Sequence, residues 1–168
     1  AGSRAEAMFE NNDFFGATGT LKWAYSDWVV GTIELVEKMK MESLKGKATA
    51  TVIADQNLAD KLVLKPGGSA YVKIDGKKIT EWGGAVIVEY DNLIRGSMAI
   101  SKPAKIDNIE GKIDAQLMRP VPVGDDLTIQ GGSVEANFKG ASVKDMSGQV
   151  RFDVSDWLAG SITMDKGS

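Results

Sequence analysis

SDWVVGTIEL, residues 26–35, recurs almost letter for letter as SDWLAGSITM at 155–164, and a weaker version, DNLIRGSMAI, lies between them at 91–100. Gly31, Gly96 and Gly160 are thereby equivalent points. Self-similarity at a fixed period decides architecture before any single motif does. Each phrase reads as a turn followed by a strand. Ser26 with Asp27, Asp91 with Asn92, and Ser155 with Asp156 supply the turn chemistry, and Gly31, Gly96 and Gly160 read as turn residues at points of demanding backbone geometry.

The likeness extends well beyond these phrases. At an offset of about 65 residues, SLKGKATA from Ser43 falls on NIEGKIDA from Asn108, and ADKLVLKPGGS from Ala59 falls on GDDLTIQGGS from Gly124 once Pro66 is looped out. Matches that keep hydrophobic character without identity, such as Leu64 with Ile129 or Val88 with Phe152, are what a shared fold requires. Two tandem units of about 65 residues, 44–108 and 109–168, are then preceded by a partial one at 19–43.

Within each unit the apolar period is two. Leu21, Trp23 and Tyr25 alternate with Thr20, Lys22 and Ala24; Val86, Val88 and Tyr90 with Ala85, Ile87 and Glu89; Val150, Phe152 and Val154 with Gln149, Arg151 and Asp153. Alternation of this kind marks strands with one buried face. About five short strands per unit and about a dozen in all predict an antiparallel all-β fold, closed as a sandwich or a barrel. SRAEAMFE, residues 3–10, carries a capping box of Ser3 and Glu6, which predicts a short helix inside an N-terminal arm spanning 1–18. The remainder, 19–168, reads as one β domain. The stretches at 54–62 and 120–127 read as loops.

The 168-residue, 18.0 kDa chain has a formal charge of −3 and a pI near 5.1. Scattered lysines in an acidic chain do not make the positive footprint that nucleic-acid backbone requires, so no nucleic-acid partner is expected. His and Cys are both absent. Their absence removes thiolate and imidazole ligands, the usual general base near neutral pH, and every Ser/His or Cys/His nucleophile. No catalytic residue, metal site or cofactor site is expected, and the chain reads as non-enzymatic.

Trp28 and Trp157 share a turn position and are the candidates for ligand or partner contact, because exposed aromatic rings are what sugar binders use. Leu93 at the corresponding middle position favours packing instead. Trp23 and the methionines Met98, Met118, Met146 and Met164 read as core. Asp125 with Asp126, and Asp153 with Asp156, could hold a hard cation, but they fit solvated turns better. The GGS glycines at 67–69 and 131–133 lack the spacing of a phosphate loop.

IEGKIDAQL, LTIQGGSVEANF and VKDMSGQVRFDV resemble the glycine-punctuated β repeats of bacterial AsmA/TamB-like proteins. The resemblance implies a periplasmic part of a larger protein whose curved sheet holds acyl chains on its apolar face. Three functions are thereby set against one another. The leading expectation is a structural or assembly protein, a virion, appendage or extended scaffold component that self-associates or joins other structural proteins. The others are an envelope lipid-handling groove and a glycan- or ligand-binding β module.

Overall fold

The computed structural model describes residues 4–10, 13–39, 45–76, 78–100, 109–140 and 142–166. They form a single antiparallel sheet with no helix among the described residues. The strands are β1 (Arg4–Glu10), β2 (Asp13–Tyr25), β3 (Val29–Met39), β4 (Lys45–Val52), β5 (Gln56–Ala59), β6 (Leu62–Leu64), β7 (Ser69–Asp75), β8 (Lys78–Tyr90) and β9 (Ile94–Ile100), followed by β10 (Glu110–Leu117), β11 (Val121–Pro122), β12 (Leu127–Lys139), β13 (Ser142–Val154) and β14 (Leu158–Met164). Hydrogen-bonded order runs β1-β2-β3-β4-β7-β8-β9-β10-β12-β13-β14, with β5, β6 and β11 off this path.

The sheet is open. β1 and β14 are its two ends, which corrects the expected sandwich or barrel. Alternation determines which face each residue takes and is silent on whether the end strands meet. The predicted N-terminal helix is also corrected: Arg4–Glu10 is β1, paired with β2 from Arg4↔Thr20 to Glu10↔Asp13. Ser3, the proposed cap, lies outside the described residues. A helix of two turns with nothing to pack on is marginal, whereas the edge of β2 offers every second backbone group a partner.

Both stretches read as loops contain short strands. β5 and β6 form a hairpin that joins the sheet through β8, and β11 pairs with β12. Pro66, expected to loop out, lies in the break between β6 and β7. It has no N–H to give a ladder, so the strand line stops at Leu64 and resumes at Ser69. β12 runs unbroken through the matching region with a register shift between Ile129 and Gly131.

The hairpin ladders follow one pattern. Trp23 faces Gly31 across β2 and β3, Val88 faces Gly96 across β8 and β9, and Phe152 faces Gly160 across β13 and β14. Each pair of strands is joined by a three-residue turn, at 26–28, 91–93 and 155–157. Positive φ falls on Ser26, on Asp91 and Asn92, and on Ser155, residues whose short polar side chains tolerate that region. Gly31, Gly96 and Gly160, read as turn residues, lie instead within β3, β9 and β14. Their role is spatial. A Cβ on Gly31 would stand 2.3 Å from the Trp23 ring, and one on Gly160 would stand 2.6 Å from the Phe152 ring. The aromatic ring lies over the glycine of the facing strand.

Candidate interaction surface

Ladder pairing places facing residues on the same side of a sheet, so the registers sort the side chains without ambiguity. One side carries Leu21, Trp23 and Tyr25 on β2, then Val29, Gly31, Ile33 and Leu35 on β3, and Ala48, Ala50 and Val52 on β4. It continues through Val86 and Val88, Met98 and Ile100, Ile113 and Ala115, and ends with Val150 and Phe152 beside Ile162 and Gly160. At these ladder positions no charge occurs. The other side holds the charges: Lys47, Glu89, Arg95, Lys112, Asp114, Glu135 and Arg151.

None of the described residues covers the apolar side. Among the described residues only Val29, Leu64 and Ala136 are buried hydrophobic residues, and no side chain is fully enclosed. Ile162 is 65% exposed, Leu21 48% and Met98 45%. The total accessible surface is 11504 Å². A compact chain of 18.0 kDa exposes roughly 8,000 Å². Trp23, Met98 and Met164, read as core, therefore sit on an open apolar face, whereas Met118 lies just beyond the end of β10. A sheet needs a second layer to bury such a face, and the described residues form one layer.

Small residues make shallow apolar depressions along this face. One is lined by Ala70, Trp82, Gly84, Val86, Met98 and Ile100, and another by Ile94, Ala115, Leu117, Val134 and Val150.

The polar side is tied across its strands. Thr32 and Thr49 share a hydroxyl hydrogen bond of 2.7 Å between β3 and β4, and Ser97 donates to Asp114 between β9 and β10. Lys73 meets Glu81 at 2.8 Å and Lys112 meets Glu135 at 2.9 Å. The hydrogen bond from Lys73 holds the Glu81 carboxyl below its ordinary value and raises Lys73 in return. Desolvation, with Glu81 as its hydrogen-bond partner, pushes Tyr71 up. The Glu135 hydrogen bond raises Lys112. These are exposed pairs that set strand registry and contribute little to stability.

Trp28 and Trp157 are not brought together. Trp28 is half-buried, its ring edge-on to Tyr25 at 6.3 Å, while Trp157 is 76% exposed. Their turns are separated by eight strand spacings, about 38 Å along the sheet. They form no shared platform. Asp126 braces the last turn: its carbonyl accepts the Ser155 N–H at 2.6 Å and its carboxylate accepts the Ser155 hydroxyl at 3.2 Å. Asp153 accepts from Gln130 at 2.6 Å, while Asp27 accepts from the Ser26 hydroxyl at 3.1 Å. Asn92 and Asp156 are exposed turn residues. No group of three or more metal-ligating side chains converges among the described residues.

Sequence reasoning named turns and tryptophans and passed over the face itself. Its signal was present in the alternation, since the long strands put most of their apolar residues on one side, Val30 and Ile87 being exceptions, and no helix lies among the described residues to cover them. The chain matches no family model, no curated protein and no solved structure.

Proposed function

We propose that the protein is a non-catalytic scaffold module, built of tandem units that each place four strands on the main path of the sheet, whose role is to present one apolar sheet face to another polypeptide, in the first instance a second copy. The observation that carries this reading is the uncovered face. The excess of roughly 3,500 Å² over a compact chain, counted on each of two chains, is more than the 2,000–5,000 Å² in total that obligate subunit interfaces bury, so a face-to-face pair has ample surface to cover. Two such sheets packed face to face would make an ordinary sandwich core about 10 Å thick.

The tandem organisation is supported by the ladders. Gly46↔Ile74 across β4 and β7 corresponds to Gly111↔Phe138 across β10 and β12, and Leu64↔Val88 corresponds to Ile129↔Phe152. Turn contacts correspond as well. Ile53 N–H donates to the Trp28 carbonyl and Met118 N–H to the Leu93 carbonyl, each at 2.8 Å.

A second reading, an acyl-chain groove, is favoured by one specific observation: the depressions on the face are lined by apolar side chains and glycine. The two readings separate in one experiment. Light scattering across a concentration series gives the mass, and solvent extraction of the purified protein followed by mass spectrometry gives bound lipid. A mass that rises in whole multiples without lipid supports assembly. A monomer carrying stoichiometric lipid overturns it in favour of the groove, and a lipid-free monomer at every concentration contradicts both.

A further inference from the structure

We infer that a depression on the polar side of the sheet, between β10, β12 and β13, binds a small hydroxylated anion, a phosphorylated or carboxylated sugar. The site lies opposite the apolar face and does not depend on the assembly reading.

Six polar side chains line this depression of about 330 Å³: Gln116 on β10 and Arg119 just beyond it, Gln130 and Ser133 on β12, and Gln149 and Arg151 on β13. All six are exposed, and no carboxylate is among the lining residues. Ladder pairing sets Gln116 opposite Ser133 and Ser133 opposite Gln149, so this row faces one way. The guanidinium of Arg151 lies over the buried Gly131, where a Cβ would stand 3.0 Å from Nη2. Neither Arg119 nor Arg151 has a carboxylate partner among the described residues. The acids two residues away along the same strands are engaged elsewhere. Asp114 accepts from Ser97, Glu135 pairs with Lys112, and Asp153 accepts from Gln130.

The matching place in the first unit supplies the comparison. Ser69↔Ala85 corresponds to Ser133↔Gln149, and Ile87 lies over Gly67 as Arg151 lies over Gly131. Thr51 and Ala54 take the positions of Gln116 and Arg119. The glycines and the serine are common to both places. The four residues that differ are amide or guanidinium in the second unit and small or apolar in the first, so the sheet forms without them. Two unneutralised guanidinium groups in one depression repel each other, and an anion between them relieves the repulsion. The planar fork of arginine takes a carboxylate or phosphate through two parallel N–H···O bonds. The amides of Gln116 and Gln149 and the hydroxyl of Ser133 each donate and accept, which suits ring hydroxyls. The volume is at the small end of ligand sites, roughly 300–1,000 Å³, so one sugar unit is the scale of the ligand.

Calorimetric titration of the full chain at constant ionic strength compares glucose-6-phosphate, glucuronate, glucose and inorganic phosphate. The expected result is that at least one of the two sugar anions binds about tenfold or more tighter than both glucose and inorganic phosphate. Arg151→Gln weakens that binding by about tenfold or more and leaves the urea midpoint unchanged, since the side chain is exposed. Lys112→Ala, on the same side of the sheet but outside the depression, leaves the affinity unchanged. Glucose binding as tightly as its anions, or inorganic phosphate matching glucose-6-phosphate where that is the anion bound, overturns the ligand class. Unchanged binding in Arg151→Gln, or an equal loss in Lys112→Ala, overturns the site and leaves only diffuse positive charge. A titration in which neither sugar anion binds overturns the inference outright.

Discussion

Gly31, Gly96 and Gly160 hold the same place in three similar phrases, yet replacing each with alanine has unequal consequences. At Gly31 the added methyl group would stand 2.1 Å from the Thr49 carbonyl oxygen and 2.3 Å from the Trp23 ring. The carbonyl belongs to β4 in the interior of the ladder and cannot retreat without breaking its pairing. The cost is at the upper end of overpacking, about 3 kcal/mol. At Gly160 the obstruction is the Phe152 ring, 2.6 Å away on the last hairpin, and a ring can swing aside. The expected cost is about 1 kcal/mol. At Gly96 the nearest atom is the Asp114 carbonyl oxygen at 3.1 Å, which a few tenths of an ångström relieves. Alanine also restricts the unfolded chain, an opposing gain of about 0.4–1 kcal/mol, so Gly96→Ala is close to neutral. Urea unfolding followed by tryptophan fluorescence at fixed protein concentration reads the series. With a slope of about 2 kcal/mol per molar urea, Gly31→Ala lowers the midpoint by on the order of 1–2 M. A Gly96→Ala midpoint as low as that of Gly31→Ala, or an unchanged Gly31→Ala, would refute the spatial explanation.

Three further outcomes are expected. Trp28→Ala destabilises by about 1–3 kcal/mol because its half-buried ring packs on Tyr25, whereas Trp157→Ala stays within about 0.5 kcal/mol in the isolated chain; thermal or urea unfolding separates them. Glu81 has a depressed folded-state pKa, so its contribution is present above the unfolded value of about 4.3 and disappears as pH falls through the lower folded value. Glu81→Gln therefore lowers the urea midpoint at pH 7 and matches the parent by pH 3, and a difference that persists unchanged at pH 3 contradicts the Lys73 pairing. Met98→Lys places a charge in the middle of the apolar face and reduces both hydrophobic-dye binding and self-association, while Lys112→Ala on the opposite side leaves both alone, as dye titration and light scattering would record.

Much of the fold was legible because strand alternation is a local property. The turns at 26–28, 91–93 and 155–157, the break at Pro66 and the side taken by Val88 or Phe152 all follow from residue type and spacing. The misses share a cause. Arg4–Glu10 has helix-forming residues and a capping pattern, but the edge of β2 outweighs weak local propensity. Closure was misjudged because it depends on whether β1 and β14 meet, a contact between the ends of the chain. Gln56–Ala59 and Val121–Pro122 are too short to show alternation and owe their extended form to the partners they lie against. The candidate surface was misread for a related reason. Burial was inferred from apolar character, and Met98 or Ile162 has that character without any described residue to bury it.

The central claim is that another polypeptide covers the apolar face, and two methionines of nearly equal exposure test it directly. Met98 stands on that face at 45% exposure, and Met118 lies off it, just beyond the end of β10, at 46%. Limited peroxide oxidation, quantified by mass spectrometry from dilute to concentrated protein, compares the two within one molecule. The account predicts that oxidation of Met98 falls several-fold relative to Met118 as concentration rises. A constant ratio across the whole range would mean that the face stays open, and would contradict it.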